Sequence, residues 1–323
     1  MPGSDARTVR ADAFAKINLT LRVLGVRPDG FHELRTTFQS IALHDTLTCR
    51  VRPGEFRIAC DDAACPVDEA NLVWRAAESV WAAAGRRGAP RDAEVRLAKR
   101  IPMQAGLGGG SSDAAAAIRA FAALWAVALT AERARTIAAA LGADVPFFLE
   151  GGTALGVERG DVLYPLMDGP GAWVTLVVPA FGVSTQEAFG WWDGEQRRLR
   201  PRQHASAPAR SVRGVGERGW GPARKVKNVG GAVGITELLD GNDLESCVGA
   251  HHPEIVRVVK TLRRRGATYA AMSGSGSAVF GLFDRRADAS AAALALAGRG
   301  RRALVTRTLN RASYARLSRP RSG

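Results

Sequence analysis

The sequence has few cysteines, and their spacing is not that of a disulfide framework. Four cysteines occur in 323 residues, namely Cys49, Cys60, Cys65 and Cys247, and no C-x-x-C pair is present. Disulfide-stabilised secreted domains are short and dense in paired cysteines. The pattern therefore indicates reduced thiols in a cytoplasmic protein.

Long hydrophobic runs are also missing. The longest apolar stretch, residues 114–129, contains Arg119, and it is shorter than the span of about 20 residues that crosses a membrane. The first twelve residues include Asp5 and Asp12 and no apolar run, so they do not resemble a secretory signal. We therefore expect no membrane partner.

Acidic residues are scarce in two segments, which makes the charge distribution uneven. The net charge is +14; residues 195–227 hold ten Lys or Arg against two Glu, and residues 299–323 hold eight Arg and no acid. Nucleic-acid binders usually carry their charge on a folded face with aromatics between the basic residues. We interpret both segments as solvated appendages and expect no nucleic-acid partner. DNA or RNA binding that survives about 200 mM salt would contradict that expectation.

The remaining composition is that of a folded protein of about two domains, with 46% hydrophobic and 24% charged residues. Apolar residues alternate over residues 9–23, which predicts strand. Helix patterns follow over residues 71–84, 111–127 and 130–141, the first beginning at the capping residue Asn71. Strands first and helices after favour an α+β fold.

A second block of strand and helix patterns begins near residue 172. Its strands are predicted over 173–178, 269–272, 278–283 and 303–309, and its helices over 185–192, 243–250, 253–265 and 287–297. We expect two lobes, residues 1–169 and 170–317, with a cleft between them. Residues 194–234 are rich in Arg, Gly, Pro and Ser without apolar periodicity, and we interpret them as a disordered or loop insertion.

Residues 101–113 read IPMQAGLGGGSSD and have the clearest chemical pattern. Glycines let backbone N–H groups converge on an anion, and the start of the next helix adds partial positive charge. The hydroxyls of Ser111 and Ser112 stand where phosphate oxygens and a phosphate-bound Mg²⁺ would lie. We predict a phosphate cradle, with a purely structural glycine turn as the alternative. The segment has no Gly-Lys-Ser/Thr of a Walker A loop, and Ser111 replaces the last glycine of a dinucleotide fingerprint.

The same segment resembles the second motif of the GHMP kinases, the superfamily of galactokinase, homoserine kinase, mevalonate kinase and phosphomevalonate kinase. Residues 15–19 (AKINL) resemble its N-terminal motif and residues 272–278 (MSGSGSA) its C-terminal glycine motif. Residues 27–34 (RPDGFHEL) and 141–147 (LGADVPF) match a branch whose substrate contains cytidine diphosphate. The resemblance implies a two-lobed fold, with an N-terminal lobe like domain 2 of ribosomal protein S5 and a ferredoxin-like C-terminal lobe.

The resemblance implies ATP-dependent phosphorylation of a small-molecule hydroxyl, with Mg²⁺ accompanying ATP, by a monomer or homodimer. In the matching branch the acceptor is the 2-hydroxyl of a cytidine diphosphate-linked methylerythritol, in the non-mevalonate route to isoprenoid precursors. The alternative is a kinase of the homoserine or mevalonate type, which does not need a base-reading His32 beside the aromatic Phe31. Competition by CMP or CDP would discriminate between them.

The resemblance also implies roles for individual residues. Asp144 matches the base that takes the hydroxyl proton, and Lys16 matches the lysine that assists it, a pairing that favours a developing alkoxide. Considered alone, Asp144 is a turn residue after a helix and Lys16 a surface lysine on a strand. The residues matched to ATP binding are Asn71, Lys99, Pro102, Met103, Gln104, Ala105, Gly106, Leu107, Gly108, Gly109, Gly110, Ser111 and Ser112. Those matched to substrate binding are Asn18, Phe31, His32, Phe189, Gly274, Ser275 and Gly276.

Two details of this assignment depart from the family or stay open. Phe31 stands where most relatives have tyrosine, so the ring remains for stacking and a hydroxyl is lost. The ligands of Mg²⁺ are not assigned.

Overall fold

The structure is a computed structural model, and it describes residues 7–199, 241–298 and 300–323. Its strands are β1 (Thr8–Val26), β2 (His32–Glu55), β3 (Arg57–Cys60), β4 (Arg91–Ala98), β5 (Thr153–Glu158), β6 (Val162–Pro165), β7 (Trp173–Pro179), β8 (Tyr269–Met272), β9 (Val279–Phe283), β10 (Arg301–Arg307) and β11 (Arg321–Ser322). Its helices are α1 (Leu72–Ala83), α2 (Gly109–Leu124), α3 (Ala131–Leu141), α4 (Phe147–Glu150), α5 (Thr185–Leu199), α6 (Leu244–His251), α7 (Pro253–Arg264), α8 (Arg286–Leu296) and α9 (Arg311–Leu317). The predicted α+β class is confirmed.

The first lobe is a mixed sheet covered by helices. Its strands follow the order β11-β1-β2-β4-β3, with β5 paired to β2 and β6 to β5. The alternating residues 9–23 lie within the single strand β1. Helix α2 packs against β1 and α1, and its residues 114–117 are all alanines with no exposed surface. Small side chains let backbones approach closely, so α2 lies tightly over the sheet.

The second lobe has a four-stranded antiparallel sheet of order β10-β7-β9-β8. Numbered by their position in this lobe, the strands follow the order 4-1-3-2, with helices between the first and second strands and between the third and fourth. That is the ferredoxin-like arrangement that the family resemblance implies. Helices α7 and α8 cover one face of this sheet.

The other face of the second sheet packs against the first lobe. Val174, Leu176 and Phe280 of the second sheet share one buried cluster with Ala15 and Ile17 of β1. This contact is apolar and fully buried, so it fixes how the lobes lie against each other. The cleft opens beside it.

Helix α1 begins as the sequence predicts. The side chain of Asn71 accepts a hydrogen bond from the backbone N–H of Val73 at 2.9 Å. An N-cap of this kind satisfies one of the free donors at a helix start.

The predicted insertion begins too early. Helix α5 continues to Leu199, so the loop predicted from residue 194 is wrong for residues 194–199. Residues 200–234 of that prediction lie outside the described residues. The helix passes through Gly194, which the sequence interpretation treated as the start of the loop.

The arginine-rich C-terminus is not an appendage, and that part of the charge interpretation is wrong. Tyr314 on α9 is fully buried, and its hydroxyl donates to the carbonyl of Phe148 at 2.7 Å. Strand β11 pairs with β1, and Arg321 forms an ion pair with Asp12. The chain thus returns to the first lobe after β10. The division at residue 169 stays a prediction.

All four cysteines are free thiols, as the sequence predicts. In the described ranges of the chain, no helix has the length and hydropathy needed to cross a membrane.

Candidate active site

A cavity of about 1080 Å³ lies between the lobes and is lined by both. It contains nearly all residues that the sequence singles out. The predicted residues that line it are Lys16, Asn18, Phe31, His32, Asn71, Lys99, Pro102, Met103, Gln104, Ala105, Gly106, Leu107, Gly108, Gly109, Gly110, Ser111, Asp144, Phe189, Gly274 and Ser275. Ser112 and Gly276 are not among the lining residues.

Two positions of the glycine loop require glycine. Gly106 has φ +72°, and a Cβ there would lie 2.1 Å from the carbonyl oxygen of Ser273. Gly108 has φ +69°, and a Cβ there would lie 2.6 Å from the ring of Phe148. Both the backbone conformation and the close approach exclude a side chain. The loop can therefore run close along the cavity wall.

Helix α2 starts within this loop, and its first turn faces the cavity. Its N-cap is Gly108, which offers no capping side chain, while Gly109, Gly110 and Ser111 line the cavity. Uncapped N–H groups and the positive end of the helix dipole favour an anion at this place. The arrangement suits a nucleotide phosphate.

The two serines of the loop have different surroundings. Ser112 is 1% exposed, and its hydroxyl donates to the carbonyl of Phe14 at 2.7 Å. It therefore joins α2 to β1 and does not reach the cavity, contrary to the prediction that both hydroxyls face phosphate. Of these two serines, Ser111 lines the cavity.

Lys16 and Asp144 lie together, although 128 positions separate them in the chain. Lys16 Nζ is 3.4 Å from Asp144 Oδ2 and donates to Asn18 Oδ1 at 2.6 Å. The lysine side chain is 5% exposed and that of Asp144 is 33% exposed. A buried ammonium thus faces a carboxylate that remains accessible from the cavity.

Irregularities in β1 aim Lys16 and Asn18 at the site. The β1–β2 register shifts between Phe14 and Lys16 and again between Asn18 and Thr20. Bulges of this kind redirect side chains and recur beside functional sites. The backbone N–H of Lys16 also donates to the carbonyl of Leu107 at 3.1 Å, which joins β1 to the glycine loop.

Lys99 is engaged with two aspartates in the wall of the cavity. Its ammonium pairs with Asp45 and lies 2.6 Å from Asp113 Oδ2, all three side chains being nearly buried. Asp45 also accepts from the backbone N–H groups of Arg100 and Ile101, whereas Asp113 Oδ1 is buried without a hydrogen-bond partner among the described residues. Burial, assisted by the nearby Asp45 carboxylate, raises the pKa of Asp113 to about 8. Lys99 therefore stiffens the wall through its contacts with both aspartates.

The amide of Asn71 is likewise engaged by the protein. Besides capping α1, it donates to the carbonyl of Pro66 at 2.6 Å. Cys65 contacts the same amide, and burial raises the pKa of that thiol to about 12. Pro66, Ala70 and Leu72 also line this end of the cavity, which makes the slot beside Asn71 largely apolar.

The opposite end of the cavity is aromatic. Phe31 is 56% exposed, and the guanidinium of Arg159 lies 5.3 Å from its ring centroid. His32 stacks on Phe189 with 4.4 Å between ring centroids, and its Nε2 lies 3.0 Å from Asp193 Oδ1. An exposed ring beside a positioned imidazole can receive a planar base.

The glycine turn between β8 and β9 contributes two residues to the cavity. The Cβ position at Gly274 lies 3.4 Å from Lys16 Nζ, so this turn passes close to the ammonium. Ser275 contacts Thr185 of α5 with 3.3 Å between hydroxyl oxygens. Gly276 instead faces Met272, away from the cavity.

Sequence reasoning does not identify four polar residues of this region: Asp45, Asp113, Arg159 and Asp193. Asp113 is the last residue of segment 101–113, and Asp193 stands one helical turn after Phe189, so both had a local signal. Asp45 and Arg159 had none, because their relevance depends on contacts between distant strands and loops.

Comparison with known proteins agrees with the fold and the loop. The family model described as GHMP kinases N terminal domain matches residues 71–152, and the one described as GHMP kinases C terminal matches residues 226–302. A homoserine kinase structure from Cytophaga hutchinsonii has a TM-score of 0.59 at 19% identity, covering 100% of this chain and 99% of its own. That likeness extends to the fold alone.

Closer relatives have one description in common. A 4-diphosphocytidyl-2-C-methyl-D-erythritol kinase of Pelotomaculum thermopropionicum is 42% identical over 303 residues, which is 94% of this chain and 98% of the relative. A crystal structure of 4-(cytidine 5'-diphospho)-2C-methyl-D-erythritol kinase has a TM-score of 0.69 at 32% identity, covering 93% of this chain and 98% of its own.

The chain belongs to the GHMP kinases, the class that its two lobes and glycine loop define. Sequence identity of 42% over 94% of the chain indicates one particular family within this class. The chain's own family is that of the 4-diphosphocytidyl-2-C-methyl-D-erythritol kinases.

Proposed function

We propose that the protein transfers the γ-phosphoryl group of ATP to the 2-hydroxyl of 4-diphosphocytidyl-2-C-methyl-D-erythritol. The observation that supports this most strongly is the 3.4 Å contact between Lys16 and Asp144, in the same cavity as the start of α2 and His32. The carboxylate, the ammonium, the helix start and the imidazole that the proposed reaction needs thus line one cavity.

Asp144 is the proposed general base. Its carboxylate is accessible from the cavity, as a group that accepts the hydroxyl proton must be. Lys16, held by Asn18 and Asp144, places a positive charge beside the alkoxide that develops as the proton leaves. Phosphoryl transfer depends mainly on positioning and charge neutralisation, so these two side chains, the helix terminus and Mg²⁺ together would suffice.

The start of α2 is the proposed site of the ATP phosphates. Gly106 and Gly108 keep side chains out of the loop, and uncapped N–H groups at Gly109 and Gly110 face the cavity. The slot beside Asn71 would take the adenine, with Lys99 as part of its wall. Since both side chains are already bonded within the protein, they would act by shape.

Mg²⁺ belongs to the proposal as the usual companion of ATP. Within the described ranges no cluster of three or more His, Cys, Asp or Glu side chains could hold a metal ion. Mg²⁺ in kinases is held largely by substrate phosphates with one or two protein oxygens, and the Ser111 hydroxyl at the cavity fits that mode. The ion would neutralise phosphate charge.

The aromatic end is the proposed cytidine site. Phe31 offers an exposed ring for stacking, and His32 offers a ring nitrogen that can hydrogen-bond a base. The ring of Phe189 stacks on His32. We therefore propose that Phe189 holds the imidazole in place as one wall of this site.

A coupled ADP-release assay tests the proposal. The purified protein with ATP and Mg²⁺ is supplied separately with the cytidyl substrate, homoserine, mevalonate and galactose. We expect turnover with the cytidyl substrate alone, inhibited competitively by CDP. Turnover of homoserine or mevalonate at a higher kcat/KM, without inhibition by CDP, would reject the proposal.

A further inference from the structure

Helix α5 holds the imidazole of His32 from several directions. Asp193 Oδ1 lies 3.0 Å from His32 Nε2. Phe189, one helical turn earlier, stacks on the ring at 4.4 Å between centroids, and Trp192 meets it edge-on at 5.7 Å. The orientation of His32 is therefore set by α5, from the other lobe.

The hydrogen bond determines which ring nitrogen holds the proton. A carboxylate that has lost its proton accepts hydrogen bonds and cannot donate them. The hydrogen bond between His32 and the Asp193 carboxylate therefore requires a proton on Nε2 of His32. In a neutral imidazole, Nδ1 is then an acceptor. Nδ1 has no hydrogen-bond partner within the ranges that the structure describes, and His32 lines the cavity.

An acceptor at this place distinguishes between pyrimidine bases. Cytosine presents an amino donor at N4, whereas the corresponding O4 of uracil or thymine is an acceptor. A histidine with an unprotonated Nδ1 can accept a hydrogen bond from the N4 amino group of cytosine. It cannot form one with the O4 carbonyl of uracil, because both atoms are acceptors. Sites that hydrogen-bond a substrate group reject analogues that leave the partner unpaired.

We propose that Asp193 is a positioning residue that keeps the proton of His32 on Nε2 and so makes the base site selective for cytosine over uracil. The inference rests on the proposed function, since it assumes a cytidine nucleotide as substrate. Asp193 acts through His32 and need not touch the substrate itself.

The test compares the cytidyl substrate with its uridyl analogue in the wild type and in Asp193→Asn. The amide is nearly isosteric but can donate, which permits the tautomer with the proton on Nδ1. At pH 8 we expect the ratio of kcat/KM for cytidyl over uridyl substrate to fall roughly ten- to hundredfold. The change should arise from KM for the cytidyl substrate, with kcat within about threefold of the wild type.

Glu195→Gln is the matched control. It removes a carboxylate from the same helix, where Glu195 contacts Ser246 at 3.4 Å and lies away from the main cavity. Its cytidyl-to-uridyl ratio should equal that of the wild type. A loss in the control equal to that in Asp193→Asn would overturn the inference, because the effect would then be one of helix charge.

Nitrogen NMR reads the tautomer without any substrate. The chain has five histidines, and the His32 signals are assigned by their loss in His32→Gln. We expect a protonated Nε2 in the wild type and a shift toward protonated Nδ1 in Asp193→Asn. A wild-type His32 protonated on Nδ1 overturns the inference.

Kinetic outcomes separate this inference from the proposed function. If Asp193 only fastens α5 to the first lobe, Asp193→Asn will raise KM equally for both nucleotides and leave the ratio unchanged, which overturns the inference alone. Wild-type protein that phosphorylates neither nucleotide contradicts the proposed function, and the NMR result then decides the tautomer.

Discussion

The hydroxyl of Ser273 donates to the carbonyl of Gly106 at 3.0 Å and accepts from the backbone N–H of Asn18 at 3.2 Å. One serine of the second lobe thereby binds both the glycine loop and strand β1 of the first. The turn between β8 and β9, the loop and the strand bearing Lys16 form a single hydrogen-bonded unit. Changes at this contact should therefore affect both stability and ATP binding.

Gly106→Ala should disrupt that unit. The new Cβ would lie 2.1 Å from the Ser273 carbonyl oxygen at φ +72°, and strained backbone alone costs about 1–3 kcal/mol. We expect a lower Tm and a KM for ATP raised at least about tenfold. Gly171→Ala, at a position with open space around it, is the control for adding a methyl group. A wild-type KM in Gly106→Ala would show that the close approach has no part in ATP binding.

Asp144→Asn should abolish most turnover with little effect on ATP affinity. The amide keeps the size of the side chain but cannot accept the hydroxyl proton, and general-base contributions are roughly 10²–10⁴-fold. The loop that would hold the phosphates is unchanged. Single-turnover kinetics and ATP titration measure the two effects separately, with Glu132→Gln on the exposed surface of α3 as control. More than about a tenth of the wild-type kcat in Asp144→Asn would remove this residue from the role of base.

Asp113→Asn should change how stability depends on pH. Burial raises the pKa of Asp113 from 3.8 to about 8 in the folded protein, so between those values the folded state binds a proton that the unfolded state does not. Stability then falls as pH rises through this window, by at most about 1.4 kcal/mol per pH unit, and becomes level above it. The amide does not ionise, so the variant should gain stability relative to the wild type from pH 5 to 8.

Urea unfolding at pH 5, 6.5, 8 and 9 measures this difference. Asp284→Asn, at an exposed position, controls for the loss of one carboxylate. If the stability difference between Asp113→Asn and the wild type does not change with pH, Asp113 is ionised in the folded protein over this whole range and the raised pKa is wrong.

Tyr314→Ala should destabilise the protein by about 3–5 kcal/mol, the usual loss for a large buried aromatic. Tyr314→Phe removes the hydroxyl, but the Phe148 carbonyl also accepts from Arg119 at 2.8 Å, so about 1 kcal/mol should be lost. Equilibrium unfolding of both variants measures these values. A Tyr314→Ala variant as stable as Tyr314→Phe would restore the interpretation of the C-terminus as an appendage.

Contiguous motifs made much of the site predictable. The spacing of Gly106 and Gly108 indicates a loop that closes on an anion, and the cap at Asn71 places α1. The residue at which a helix starts was harder to predict. Helix α2 begins at Gly109 and not at Ser111, and Ser112 therefore points toward the sheet. A one- or two-residue shift in a helix start changes which side chains face a ligand.

Contacts between distant segments could not be read from local pattern. Nothing near Asp45 indicates that it will neutralise Lys99. The spacing of Asp193 from Phe189 was visible in the sequence, but its contact with His32 of the other lobe was not. Composition gave a wrong prediction at the C-terminus. The eight arginines of residues 299–323 suggest a solvated segment, yet Tyr314 within it is fully buried. Burial there depends on a few residues, and net charge does not report it.

Identifying the product tests the central claim most directly. The wild-type protein is incubated with ATP, Mg²⁺ and 4-diphosphocytidyl-2-C-methyl-D-erythritol, and the product is examined by ³¹P and ¹³C NMR. The account predicts one new phosphomonoester, coupled to C2 of the methylerythritol, formed in equal amount with ADP. A phosphomonoester on another hydroxyl, or ADP formed without any phosphorylated product, would contradict it.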